Sequence, residues 1–100
     1  MKRIVIEPQK SDMDSGFGNY QFDEGKSLGD FLYWYCHNAL TWGTITIFNQ
    51  NNIILRKFDY DLYNKKIFYH YLSSWEYELK LKKIEFDYCF MNEDVEIYLK

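Results

Sequence analysis

Imidazole and thiol side chains, the usual carriers of acid–base chemistry at neutral pH, of nucleophilic attack and of zinc binding, are scarce in this chain: two histidines, His37 and His70, and two cysteines, Cys36 and Cys89. Imidazole titrates near neutrality, and imidazole and thiolate are the usual zinc ligands, so these four set the limit on such chemistry. Cys36 and His37 are sequence neighbours within a helical pattern, where successive side chains project about 100° apart. That denies them a shared nucleophile–base geometry. Cys36 falls on the apolar side of the pattern and is expected in the core, where free cysteine is common. His70 sits inside an aromatic run, and neither histidine has further ligands at metal-site spacing. Two distant cysteines make neither a disulfide framework nor a zinc ribbon, and they read as reduced thiols in a cytoplasmic protein.

Carboxylates are more plentiful. Asp12 with Asp14, Glu76 with Glu78, Glu85 with Asp87, and Glu93-Asp94-Glu96 form clusters, and members two apart share one face of a strand. Hydrolysis or divalent-metal binding would need such pairs to converge in a pocket; otherwise they are solvent-facing strand charge. Asp59-Tyr60-Asp61-Leu62-Tyr63-Asn64 spaces oxygen ligands as a calcium loop does but lacks the turn glycine and the terminal glutamate, so it reads as a solvated connector. The expectation is a protein that is not an enzyme and holds no metal or cofactor.

The elements that position these residues follow from periodicity. Leu28, Phe31, Leu32, Tyr35, Cys36, Ala39 and Leu40 recur at three- and four-residue intervals, so 27–40 reads as a helix with one apolar face. Ser27 is placed to cap it, Asp30 to complete a capping box, and Gly43 to end it in a left-handed conformation. Elsewhere the apolar residues alternate. Strands are expected at 3–7, closed by Pro8, and at 19–23 after a polar loop. Thr44–Phe48 and Ile53–Phe58 form a hairpin around Asn49-Gln50-Asn51-Asn52. Residues 67–75 fit either a strand or a short helical turn, with the strand favoured. Tyr77, Leu79 and Leu81 alternate, then the phase moves to Ile84, Phe86, Tyr88 and Phe90, as a β-bulge near Lys82-Lys83 would produce. Met91 to Asp94 reads as a turn before a closing strand carrying Val95, Ile97 and Leu99.

The fold class is therefore α+β, with residues 1–100 as one domain. A single helix packs on a largely antiparallel sheet of five to six strands in the order β-β-α-β-β-(β)-β-β. This order resembles the β-grasp arrangement of ubiquitin-like domains, in which a hairpin, a crossover helix and further strands build one sheet. The segments Ser15-Gly16-Phe17-Gly18-Asn19-Tyr20-Gln21-Phe22, Ser27-Leu28-Gly29-Asp30-Phe31-Leu32 and Trp42-Gly43-Thr44-Ile45 are together similar to a group of small uncharacterised proteins from gut bacteria and their mobile elements. The resemblance implies a bacterial origin and supports the fold; it brings no activity with it.

Net charge is −3, which supplies no overall positive field for phosphate backbones or anionic membranes. Nucleic acid is disfavoured as a partner, and no apolar run approaches the roughly 20 residues of a membrane span. The first residues hold too few apolar positions for a signal-peptide core. Aromatic residues make up 21% of the chain. Lys outnumbers Arg ten to two and Ala occurs once, so AT-rich coding bias and core filling account for much of that content. One aromatic group stands apart. Tyr33, Trp34, His37 and Asn38 lie on the helix face opposite the core, where large rings are either an interface or are covered by the strands after Tyr60. As an interface with acidic neighbours, this face suits a protein partner with a basic surface. The expected function is that of a small acidic protein-binding module, a stoichiometric inhibitor such as a toxin-immunity or anti-defence protein that occludes a basic surface. The alternative is a small-molecule or single-stranded nucleic-acid module using its aromatics, with Lys80, Lys82 and Lys83 as a basic strip beside Trp75 and Tyr77.

Overall fold

The helix forms where the capping residues place it. In the computed structural model, which describes residues 2–6, 26–64 and 72–100, helix α1 spans Leu28–Asn38. The Ser27 amide donates to Asp30 Oδ2 (2.8 Å) and the Asp30 amide to Ser27 Oγ (3.2 Å), a reciprocal capping box that satisfies two donors at the helix start. Leu28, Phe31, Leu32 and Tyr35 are fully buried along one stripe. Termination comes earlier than the apolar pattern suggests. Ala39 turns extended while its amide still donates to the Tyr35 carbonyl (3.0 Å), so Leu40 leaves the helical face and stands exposed.

Gly43 has a different task from the one expected of it. It lies inside strand β2 (Trp42–Phe48) at φ +155°, where an added Cβ would come within 2.4 Å of the Glu93 carbonyl oxygen. A side chain is excluded by the neighbouring backbone.

Four further strands complete the sheet: β1 (Lys2–Ile6), β3 (Ile54–Asp61), β4 (Leu81–Cys89) and β5 (Asn92–Leu99). Their order is β1-β4-β5-β2-β3, with β2 and β5 parallel and the other neighbours antiparallel. The protein is thus α+β, one helix on a mixed sheet. A β-grasp-like sheet opens with a hairpin ahead of the helix; the segment expected to supply its second strand, 19–23, lies outside the described residues, and β1 pairs with β4.

The β2–β3 hairpin turns where its asparagines allow. Asn49 Oδ1 accepts from the Asn51 and Ile53 amides (2.8 and 3.1 Å), and Asn52 takes φ +61°, which asparagine tolerates well. Strand β3 then runs on to Asp61, so the first half of the stretch read as a connector, Asp59 to Asp61, is strand with Tyr60 buried, and the turn begins only at Leu62.

Two other phase readings shift. Glu76–Glu78 is a short 3₁₀ turn, so Tyr77 and Leu79 precede β4; the register slip between Leu81 and Lys83 falls where a bulge was expected. Phe90 does not continue the strand. It sits with Met91 in a tight turn at φ +57°, and β5 begins at Asn92 inside the stretch read as turn. Between helix and sheet, the Phe31 and Tyr35 rings meet Phe86 at 6.1 and 5.9 Å, among fully buried Ile45, Ile47, Val95 and Ile97. Each such side chain contributes roughly 1.5–3 kcal/mol by leaving water.

Candidate binding faces

The outer helix face carries three exposed side chains and one that turns inward. Tyr33 is 62% exposed, and His37 and Asn38 are exposed beside it. The His37 ring stands 4.3 Å from the Tyr33 ring, and its Nδ1 donates to the Tyr33 carbonyl (2.7 Å), which leaves Nε2 as the acceptor of the neutral ring. Asn38 Nδ2 donates to the Trp34 carbonyl (2.7 Å). Both side chains thus fold back onto carbonyls one turn earlier in the helix. Trp34 is half-buried and packs against the core, its ring 6.0 Å from Phe31 and 6.5 Å from Tyr35. Cys36 is half-buried against the same core, Cys89 is exposed, and His70 lies outside the described residues.

The sheet face turned away from the helix gathers most of the strand carboxylates. Pairing of β4 with β5 sets Glu85 directly opposite Glu96 and Asp87 directly opposite Asp94. They line a shallow depression of about 260 Å³ together with Thr44, Thr46 and Lys57. Asp94 Oδ1 accepts from the Thr44 amide (3.0 Å), and Asp59 Oδ1 accepts from Thr44 Oγ1 (3.2 Å). At the other end of this face Phe48 and Tyr98 stack at 4.7 Å with Lys83 Nζ 4.8 Å above the Tyr98 ring, and Lys83 also reaches Glu85 (3.6 Å). Sequence alternation placed each pair on one strand face, but the meeting of pairs across strands depends on register. Among the described residues, no group of three or more His, Cys, Asp or Glu side chains is arranged to hold a metal ion.

Other carboxylates belong to the interior. Glu76, read as strand-surface charge, is fully buried: its Oε1 accepts from the Ser73 amide (2.7 Å) and from Arg56 Nη2 (3.1 Å), while Arg56 Nε lies 3.1 Å from Oε2. Glu78, its expected partner on one face, is exposed in the same turn. Glu93 is only 1% exposed. Its Oε1 accepts from Tyr35 Oη (2.6 Å) and its carbonyl from Tyr60 Oη (2.6 Å). Thr41 Oγ1 joins both phenols at 2.7 and 2.9 Å, and the phenol oxygens are 2.6 Å apart. Burial pushes both phenols well above their ordinary range, and the nearby Glu93 charge adds to the rise. Phenols so held keep their protons. The cluster ties the end of the helix to β3 and β5 and is a structural clasp.

A fourth group was not visible in the pattern. Leu40, Trp42, Tyr63 and Phe90 are exposed, and Trp42 meets Tyr63 edge to face at 6.0 Å. Another exposed ring, Trp75, borders a cleft of about 250 Å³ with Leu55, Leu79, Leu99 and Lys100. No helix among the described residues is long and apolar enough to cross a membrane. No family model, curated protein or solved structure matches the chain.

Proposed function

We propose that this protein acts by stoichiometric contact, as a small acidic module that binds a protein with a basic surface and thereby occludes it. The observation that carries the reading is the opposition of Glu85 to Glu96 and of Asp87 to Asp94 on adjacent strands. Like charges directly opposite one another destabilise a sheet by roughly 0.2–1 kcal/mol per pair. A cationic partner would relieve that repulsion on binding, and its encounter would be steered by the same field. An inhibitor of the toxin-immunity or anti-defence kind from a mobile element, built on a β-grasp-like scaffold, is the finer form of this reading. Tyr33, Trp34, His37 and Asn38 are the contact residues expected from the sequence, and of their rings Tyr33 and His37 are the accessible ones; the function itself rests on the acidic sheet face and does not require them. Calorimetric titration with a basic partner tests the proposal: Asp87→Asn with Asp94→Asn should weaken binding at low salt while circular dichroism stays native. Unchanged binding by the folded double variant would contradict it.

A second reading, a single-stranded nucleic-acid or small-molecule module, is favoured by one feature, the cleft beside Trp75 with Lys100 on its rim. Stacking on such a ring tolerates any base. Quenching of tryptophan emission by oligonucleotides at low salt, lost in Trp75→Ala, would support it; an unquenched wild type would remove it.

A further inference from the structure

Three hydrogen bonds from backbone amides gather exposed apolar side chains at one end of the sheet. The Trp42 amide donates to the Met91 carbonyl (3.0 Å), which fixes the start of β2 against the turn holding Phe90. Leu62 donates to the Thr41 carbonyl (2.9 Å), which brings the residues after β3 alongside Leu40. The Asn64 amide donates to Asp61 Oδ1 (3.0 Å), which closes the turn presenting Tyr63. Leu40, Tyr63 and Phe90 are 65%, 57% and 93% exposed, and Trp42 stands edge to face with Tyr63. Phe90 is the most telling of them. A bulky residue at φ +57° is strained where glycine is not, and this one gains nothing from burial in return.

The same end is acidic on the open sheet face. Asp61 pairs directly with Trp42 across β2 and β3, and strand alternation puts Asp59 on the same side. Asp87 and Asp94 face each other on the far side of Trp42, in the depression that Thr44 also lines. Trp42, Tyr63 and these carboxylates therefore share one end of the sheet, with Phe90 on the turn that the Trp42 amide holds. Resting on the function proposed above, we infer that the partner docks at this end, with Phe90 and Trp42 entering an apolar socket ringed by arginine or lysine, and that the helix face stays outside the contact. The charge selects the occupant. Phosphate backbones and a second copy of this acidic face would both be repelled, whereas a basic protein surface complements it.

The probe is an arginine-rich amphipathic peptide with leucines on one face, set against its glutamate-for-arginine counterpart and titrated into the intact chain at low and high salt. Phe90→Gly and Trp42→Ala should each weaken binding about thirty-fold or more, the hot-spot threshold, while Tyr33→Ala leaves it unchanged. Phe90→Gly should raise the melting temperature at the same time, which separates lost contact from lost fold. Weakening by Tyr33→Ala or His37→Ala alone would keep the function and overturn this docking site. Concentration-dependent self-association lost in Phe90→Gly would overturn it in favour of a second copy. Wild type that ignores the basic peptide at both salts would overturn the function reading itself.

Discussion

Tyr35→Phe removes one oxygen and leaves the ring in place, so it isolates the clasp at the end of the helix. The lost hydroxyl contacts Glu93 Oε1, Tyr60 Oη and Thr41 Oγ1 at 2.6, 2.6 and 2.7 Å. Its bond to the buried carboxylate is worth about 1.5–3 kcal/mol if charge-assisted, and neutral hydroxyl contacts about 0.5–1.5 kcal/mol each. One hydroxyl has one proton, so the contacts do not simply add. A loss of about 3 kcal/mol follows, or roughly 12–24 °C in melting temperature for a domain of this size. Urea denaturation of Tyr35→Phe beside Tyr33→Phe, whose ring is exposed, makes the assay. Tyr33→Phe should stay within about 0.5 kcal/mol of wild type. A double-mutant cycle with Tyr60→Phe should show coupling of at least about 0.5 kcal/mol, because the two phenols share partners. A Tyr35→Phe loss below about 1 kcal/mol would mean that Glu93 is held without this donor and that the clasp is not what secures the helix end.

Alkaline pH gives a related expectation. Burial raises the Tyr35 and Tyr60 phenols in the folded state, so that state binds more protons than the unfolded chain above the unfolded phenol pKa of about 10. Stability should be level below that pH and fall as pH rises beyond it, with Tyr35→Phe falling less steeply; absorbance of phenolate followed against circular dichroism checks it. Gly43→Ala puts a Cβ within 2.4 Å of the Glu93 carbonyl and at φ +155°, so it should cost about 2 kcal/mol or more in urea denaturation. Leu40→Ser should be nearly neutral, within about 0.5 kcal/mol, whereas Phe31→Ala should cost about 3–5 kcal/mol.

The contrast between Leu40 and Phe31 shows what a single chain reveals about itself. Both obey the same helical spacing, and Ser27 with Asp30 made the helix start legible through local hydrogen bonding alone. Where the helix stops depends on Ala39 turning extended toward β2, a tertiary demand that no periodicity carries. The asparagine turn at 49–52 and the slip at Leu81–Lys83 were equally readable, because asparagine chemistry and a change of phase are local signals. Glu93 was hidden for the opposite reason. A carboxylate in an alternating strand looks like surface charge until Tyr35, far off in sequence, is found against it. The candidate face was partly legible: Tyr33, His37 and Asn38 were assigned outward by helical geometry and are exposed, but the acidic pairs became visible only through β4–β5 register. Phe90 was misread because its alternation continued that of Ile84 and Phe86 into the turn.

The most direct test of the account is quantitative capture from the native host with the wild-type chain, Trp42→Ala and Trp34→Ala as parallel baits, each checked for native circular dichroism. One stoichiometric partner with a basic surface is expected, released as salt is raised and lost from folded Trp42→Ala. A partner retained by Trp42→Ala, or one with an acidic surface that salt does not release, would contradict it.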